Sequence, residues 1–331
     1  MPKICKNRIS VAIATYNGAS FLKEQLVSIC EQTIKPFEIV ISDDNSSDNT
    51  IEIINELANN YPDVKFKIIK NIQNIGFAKN FLKAILNTEG DIIFLSDQDD
   101  VWMPNKIERF IYAFDIYNCN FAFCDNRYID ESGSTIEREF VFNSSLMFNF
   151  KKKVIGQEYI SYTYYDIVKN LNLPGMVFAF NKEVLDDLKY IYNKTGLISE
   201  LHFHDVLISY IAIRKKPAVF INQILNNYRI HEENAIGMNS FVTERGFDRL
   251  KWIENLYDNQ CFISDVEKEI HIKDSYNDEY VKILNKFIST TKIRLDNLYK
   301  FSIFKYFKLF LKLRFVNSIK SLIGDLFYVR K

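Results

Sequence analysis

The chain has 331 residues, with 42 Lys and Arg balancing 42 Asp and Glu, and 47% of its residues are apolar. That length accommodates roughly two to three domains of about 100 to 200 residues, and the neutral balance argues against a binder of nucleic-acid polyanions. With 28 Phe and 19 Tyr but only 10 Gly and 6 Pro, collagen-like, linker-rich and low-complexity classes are excluded as well. The five cysteines, Cys5, Cys30, Cys119, Cys124 and Cys261, are scattered and form no CxxC pair. Neither a disulfide framework nor a zinc ribbon is supported, and a reducing, cytoplasmic compartment is expected.

The first half alternates short β-branched runs with longer amphipathic stretches. Ile9 to Ala14, Phe37 to Ser42, Val64 to Ile69 and Asp91 to Ser96 read as strands, and segments near 18–32, 47–60 and 76–87 read as helices. The run Ile9 to Ala14 is too short for a signal-peptide core. Strict alternation implies a parallel, doubly wound sheet, whose ligands sit beyond the C-terminal strand ends. Each strand is followed there by small, polar or acidic residues: Thr15-Tyr16-Asn17, Asp43 to Ser46, Asn71 to Gly76, and Asp97 to Asp100.

Residues 118–238 mix strand-like runs (Phe121 to Cys124, Met176 to Phe180, Ala218 to Ile221, Ile224 to Ile230) with a helical pattern at Phe203 to Ile213. They read as the second half of one catalytic domain, 1–238, whose first half is 1–117. From 239 to 331 helical patterns take over, around 243–268, 277–299 and 300–324. Residues 300–331 carry eight Lys or Arg against Asp325 alone, a local net of +7, with Phe301, Phe304, Phe307, Phe310 and Phe315 among them. Nowhere do 18 consecutive apolar residues occur, so a spanning helix is not expected. The basic, aromatic tail fits either peripheral contact with an anionic membrane at the inner face or a helix packed on the catalytic domain.

Asp97 and Asp99 stand at i and i+2 directly after an apolar run. Alternate residues of an extended segment point the same way, so the two carboxylates can aim at one point, where hard oxygens suit Mg²⁺ or Mn²⁺ on a diphosphate. A solvated acidic turn or N-cap before the Pro104 helix is the bland alternative, and Asp100 fits it best. A carboxylate at Asp43 or Asp44 could accept the imide N–H of a pyrimidine, although for Asp43 alone the bland reading wins, and Asp48 is more simply an N-cap. No GxxxxGK[ST] loop exists and Gly18 stands alone after the first strand, which excludes a Walker loop and a dinucleotide fingerprint.

Val11-Ala-Ile-Ala-Thr-Tyr-Asn-Gly18, the Asp43-Asp-Asn-Ser run, Asn74-Ile-Gly-Phe-Ala-Lys-Asn80 and Phe94-Leu-Ser-Asp-Gln-Asp-Asp-Val-Trp102 together resemble the inverting family-two glycosyltransferases of GT-A fold. The Ser-Asp-Gln-Asp-Asp-Val-Trp spelling is similar to rhamnosyltransferase-type bacterial polysaccharide enzymes. The resemblance implies an α/β, Rossmann-like, mostly parallel sheet flanked by helices, with a helical C-terminal part. It further implies that Thr15, Tyr16 and Asn17 line a nucleoside pocket, that Asp44 or Asp43 reads the pyrimidine, that Asp97 contacts the ribose side and that Asp99 coordinates the metal, with Lys79 near the donor.

His204-Asp205 resembles the family's acceptor-side motif, in which the aspartate deprotonates the attacking hydroxyl. Val206-Leu207 follows it where the family often has aromatic residues. A zinc cluster of His202, His204 and Asp205 lacks a third well-spaced His or Cys. Tyr228-Arg-Ile-His231 resembles the family's late Tyr-Arg-x-His segment, in which Arg229 would meet the diphosphate and His231 the metal or a hydrogen bond. Pro174-Gly175-Met176 resembles its Gly-containing acceptor loop. The implied reaction moves a sugar from a UDP- or dTDP-sugar to a glycan hydroxyl, the acceptor possibly lipid-linked, with Mn²⁺ or Mg²⁺ as cofactor. A nucleotidyltransferase would need a basic, Gly-rich loop after the first strand. A non-catalytic nucleotide-sensing module would need neither Asp205 nor His231.

Overall fold

The computed structural model describes residues 7–136, 157–163, 166–167, 173–194, 204–231, 242–243, 246–247, 249–271 and 278–299. Contacts divide the chain into two units, one of residues 1–164 and 172–235, the other of residues 165–171 and 236–331.

The first unit begins β1 (Ile9–Thr15), α1 (Leu22–Cys30), β2 (Glu38–Asp43), α2 (Thr50–Asn60), β3 (Lys65–Lys70), α3 (Phe77–Leu86) and β4 (Ile92–Ser96). Strands β1, β2 and β4 are buried along their lengths, as strands covered on both faces must be. Ile9, Val11, Ile13, Ile39, Ile41 and Phe94 share one core with Leu22, Leu26 and Ile29 of α1 and with Ile54 and Leu57 of α2. The alternate residues Ala12, Val40, Ile93 and Leu95 are equally buried, and α3 packs across β1 and β2.

A two-residue strand β5 (Val101–Trp102) follows, then α4 (Lys106–Tyr117), β6 (Phe121–Ile129), β7 (Tyr159–Tyr162), a 3₁₀ turn at Gly175–Val177, β8 (Phe178–Asn181), α5 (Lys182–Lys194), α6 (His204–Ile213) and β9 (Ala218–Arg229). The sheet runs β3-β2-β1-β4-β8-β6-β9-β5, with β7 also on β9. Pairing is parallel from β3 to β4 and between β6 and β9, and antiparallel at β8, β5 and β7. Six of the nine strands therefore share one direction. The doubly wound expectation holds for the first half, and the second half makes the sheet mixed.

The runs expected at Ala218 to Ile221 and Ile224 to Ile230 are one 12-residue strand. The Asn222-Gln223 interruption is absorbed by register shifts around Asp125 of β6 rather than by a chain break.

Two pairings build the functional rim. The parallel register sets Thr15 opposite Asp43 and Asp43 opposite Lys70, while Ile13 faces Ser96, so the strand ends finish at one level. Then β5 pairs with the end of β9, Val101 to Asn227 and Trp102 to Asn226, which lays the acidic turn 97–100 against Arg229 and His231.

The second unit contains the short hairpin β10 (Val242–Thr243) and β11 (Gly246–Phe247), then α7 (Arg249–His271) and α8 (Asp278–Tyr299), which pack on each other. The expected helix at 300–324 and the whole basic tail lie outside the described residues. No helix among the described residues is long and apolar enough to cross a membrane.

Candidate active site

The first two strand ends are stitched together by polar groups that the sequence places one residue beyond each apolar run. Asp43, 2% exposed, accepts from Thr15 Oγ1 at 2.9 Å, Ser46 N at 2.9 Å and Ser46 Oγ at 2.5 Å. Asp44, equally buried, accepts from Asn71 Nδ2 at 2.9 Å, Ile75 N at 2.8 Å and Gly76 N at 2.9 Å. Asn17, in the left-handed region at φ 46°, donates its N–H to Ser46 Oγ and accepts from Ser47 N, both at 2.9 Å. Beneath them the buried Asn80 donates to the carbonyls of Thr15 and Ser42. The Tyr16 ring stands half exposed beside this network.

The acidic turn is different in kind. Asp97, Asp99 and Asp100 crowd three carboxylates into four residues. Burial and then the charges of Asp100, Asp99 and Asp205 push the Asp97 carboxyl well above the usual range. Asp100 is fully buried, accepts from Asn226 Nδ2 at 2.8 Å and Arg229 N at 3.2 Å, and is raised to about 7 by burial and Asp99. It is neither a solvated turn residue nor the cap of α4, whose N-cap is Asn105, so the bland reading expected for it is corrected: its carboxylate is drawn inward by β9. Asp99 Oδ2 lies 2.8 Å from His231 Nε2, and the His231 ring packs on Phe21 at 4.8 Å.

Arg229 is brought to the turn, but not as expected for a phosphate ligand. It is 1% exposed. Nε donates to Asp99 O at 2.9 Å, Nη1 to the carbonyls of Asp130 and Glu131 at 3.0 and 2.9 Å, and Nη2 to Glu24 at 2.6 Å, with the guanidinium over the Phe21 ring. Its fork of donors is taken up within the protein and holds the Asp99 backbone, where a diphosphate contact was expected.

Asp205 opens α6, where its Oδ1 accepts from Val206 N at 2.8 Å, and burial raises its carboxyl to about 6. It is close enough to Asp97 for the two charges to be felt. Its neighbour His204 is buried, stacks on Phe81 at 4.4 Å, and is held neutral by burial, which lowers it to about 3. Gly175 of the loop before β8 approaches from the other side; a Cβ there would lie 3.1 Å from Leu95 and 3.5 Å from His204 Nε2.

The structure thus gathers Asp97, Asp99, Asp205 and His231 around one rim, with Thr15, Tyr16, Asn17, Asp43 and Asp44 at the adjoining strand ends. Lys79 is exposed on α3 and joins none of these contacts. His202 lies outside the described residues.

Sequence reasoning missed Lys106, which is buried at the start of α4. Its Nζ donates to Met176 O at 2.7 Å and Asn226 Oδ1 at 3.1 Å, and lies 4.1 Å from the Trp102 ring centroid. Burial lowers its ammonium to about 8 against the pull of Cys124, Asp100 and Asp97. A lysine one turn past the acidic run was the available signal. Glu24 and Asn226, which hold Arg229 and Asp100, carried no local signal at all.

Among the described residues no three His, Cys, Asp or Glu side chains form a ready metal cage. The Asp99–His231 pair does offer one hard oxygen and one imidazole nitrogen, a donor set that fits Mn²⁺ in part and Mg²⁺ less well, leaving further positions for ligand oxygens.

A largely parallel sheet with acidic residues at its strand ends and a mixed second half is the architecture of a GT-A glycosyltransferase. The sequence model described as "Glycosyl transferase family 2" matches residues 10–183, more than half of the chain. The chain belongs to that family and is a glycosyltransferase. It is 31% identical over 250 residues to the dTDP-rhamnosyl transferase RfbG of Shigella flexneri, covering 72% of this chain and 80% of that one. Among solved structures it resembles residues 1–349 of S. aureus TarS in complex with UDP-GlcNAc, with a TM-score of 0.59 at 15% identity, over 95% of this chain and 81% of that one. It also resembles the mannosyltransferase PcManGT of Pyrobaculum calidifontis in complex with GDP-Man and Mn²⁺, with a TM-score of 0.57 at 17% identity, over 96% and 78%. At such identities these two structures speak for the fold alone.

Proposed function

We propose that this glycosyltransferase moves a sugar, with inversion, from a dTDP- or UDP-sugar to a hydroxyl of a growing surface glycan. The observation that carries the reading is the meeting of the Asp99–His231 pair, 2.8 Å apart, with Asp205 on a neighbouring element near Asp97. One end of this rim suits a nucleoside diphosphate and the other suits a proton acceptor. The similarity to a dTDP-rhamnosyl transferase supports a deoxyhexose donor on a thymidine diphosphate carrier, and structural neighbours that hold UDP-GlcNAc or GDP-Man and Mn²⁺ support a nucleotide-sugar donor and a divalent ion.

In this reading Thr15, Tyr16 and Asn17 line the nucleoside pocket, with Tyr16 offering a half-exposed ring to the base. Asp43 and Asp44 each already accept three hydrogen bonds from the protein, so they shape the pocket and retain only limited capacity for the pyrimidine imide. Asp97 faces the ribose side. Asp99 and His231 would hold a divalent ion, which when bound supplies positive charge to the leaving diphosphate. Arg229 serves through Asp99 rather than by touching phosphate.

Asp205 takes the proton from the acceptor hydroxyl as its oxygen attacks the anomeric carbon on the face opposite the departing diphosphate. The C–O bond to the diphosphate breaks with its electron pair, and single displacement inverts the centre. A carboxyl titrating at about 6 is ionised at neutral pH yet basic enough to accept the proton. The expected link of residues 300–331 to an anionic membrane rests on their composition, and sedimentation with anionic against neutral vesicles checks it. The test of the reaction is nucleotide release from a panel of UDP- and dTDP-sugars with and without Mn²⁺, with the anomeric configuration of the product read by NMR. A retained configuration, or no turnover with any donor, overturns the assignment.

A further inference from the structure

Asp97 and Asp99 flank a residue that the donor reading leaves without a task. The Gln98 side chain reaches the residue after β1 and closes a two-bond ring with the backbone of Tyr16. Its Oε1 accepts from Tyr16 N at 2.9 Å, and its Nε2 donates to Tyr16 O at 3.1 Å. This side chain meets the β1 loop much as a neighbouring strand would.

Gly18 makes the approach possible. A Cβ on Gly18 would lie 2.4 Å from Gln98 Oε1 and 2.8 Å from Gln98 Cδ, far inside van der Waals contact. The same segment is held on its other side by the β2 loop, where Asn17 meets Ser46 and Ser47, Gly18 N donates to Thr50 Oγ1, and Ala19 N donates to Asp48. The nucleoside loop is therefore clamped between the β2 end and the acidic turn, with Gln98 as a bridge to the turn.

We propose that Gln98 is a positioning residue that fixes the span between the nucleoside loop and the Asp97–Asp99 carboxylates, so that a nucleoside diphosphate engages both ends at once. The inference rests on the donor reading above. Two half-sites joined by one ligand gain affinity only when their separation matches the ligand, and a slack span loses that gain without harming either half. A merely structural residue would weaken the halves together with the whole.

The experiment measures binding of dTDP and UDP with Mn²⁺, and of the fragments thymidine, uridine and Mn²⁺–pyrophosphate, to the full chain and its variants. In Gln98→Ala the whole nucleotide should lose roughly tenfold in affinity, while each fragment stays within about twofold of wild type. Gly18→Ala should act in the same direction by displacing Gln98. The double variant should bind no more weakly than the more affected single one, because both changes break one clamp. Thermal melting of each variant confirms folding. Unchanged nucleotide affinity in Gln98→Ala, fragments that weaken as much as the whole, or additive losses in the double variant each overturn the proposal. A wild-type chain that binds neither nucleotide overturns the donor reading itself, and that result needs no variant.

Discussion

Two groups of aspartates end the strands on either side of β1 in one sheet, and they live in opposite surroundings. At the β2 end Asp43 and Asp44 are buried among N–H and O–H donors, each accepting three hydrogen bonds. Beyond β4, Asp97, Asp99 and Asp100 lie close to one another, Asp97 also to Asp205, and Lys106, the cation that draws on Asp97 and Asp100, is itself desolvated. Hydrogen bonds to the ionised form stabilise a carboxylate, whereas burial beside like charges raises its proton affinity. The first pair is built to hold loops. In the second group burial and like charge raise the carboxyls of Asp97 and Asp100, the kind of setting found where a site handles charge.

The largest expected effect comes from breaking the reactive side at its metal-facing member. Asp99→Asn should abolish metal-dependent transfer, with chelator mimicking it on wild type, while the melting temperature changes little because an amide can keep the His231 hydrogen bond. Full transfer by the variant in the presence of EDTA contradicts the assignment. Next comes Asp205→Asn, for which transfer should fall by roughly 10² to 10⁴, the usual weight of a general base. Its nucleotide affinity should stay near wild type, and joint loss of binding and transfer would move Asp205 into the donor site or the fold.

The structural side should fail in a different currency. Asp44→Ala removes the acceptor of Ile75 N and one of the two acceptors of the buried Asn71 Nδ2 and of Gly76 N, at a cost of about 1–3 kcal/mol where a buried donor is left unsatisfied, read as a lower melting temperature with nucleotide affinity falling in step. Stability unchanged in that variant would erase the contrast between the two groups.

The smallest effect is a pH dependence of stability. Asp100 titrates at about 7 in the fold against about 3.9 unfolded, so the native state binds more protons between those values. Its contribution to stability is therefore lost as pH rises through that window. The melting temperature of Asp100→Asn relative to wild type should accordingly improve from pH 5 to pH 8; a constant difference contradicts the buried, raised carboxyl.

Much of this was legible in the sequence, for local reasons. The first four strands are β-branched runs bounded by polar residues, and their observed ends fall within a residue or two of the expected ones. Asp97, Asp99, Asp205 and His231 carried their signal in strand-end position and motif spelling. What was not legible depends on distant pairing. Arg229 reaches Glu24 across 205 residues, and nothing local announces that its guanidinium turns inward. Gln98 looks like the neutral filler of an acidic motif until β1 is placed beside it. The antiparallel insertion of β8 and the unbroken β9 follow from sheet closure, which single-strand patterns do not encode.

The most direct test of the central claim, that environment makes Asp205 the base, is the pH dependence of transfer in wild type against the residual transfer of Asp205→Asn. The wild-type rate should rise with pH to a plateau, with an acid limb at about 6, because transfer needs the ionised carboxylate, and the residual rate of the variant should lack that limb. The same limb in both proteins, or a wild-type limb near 4 where an ordinary aspartate titrates, would contradict it.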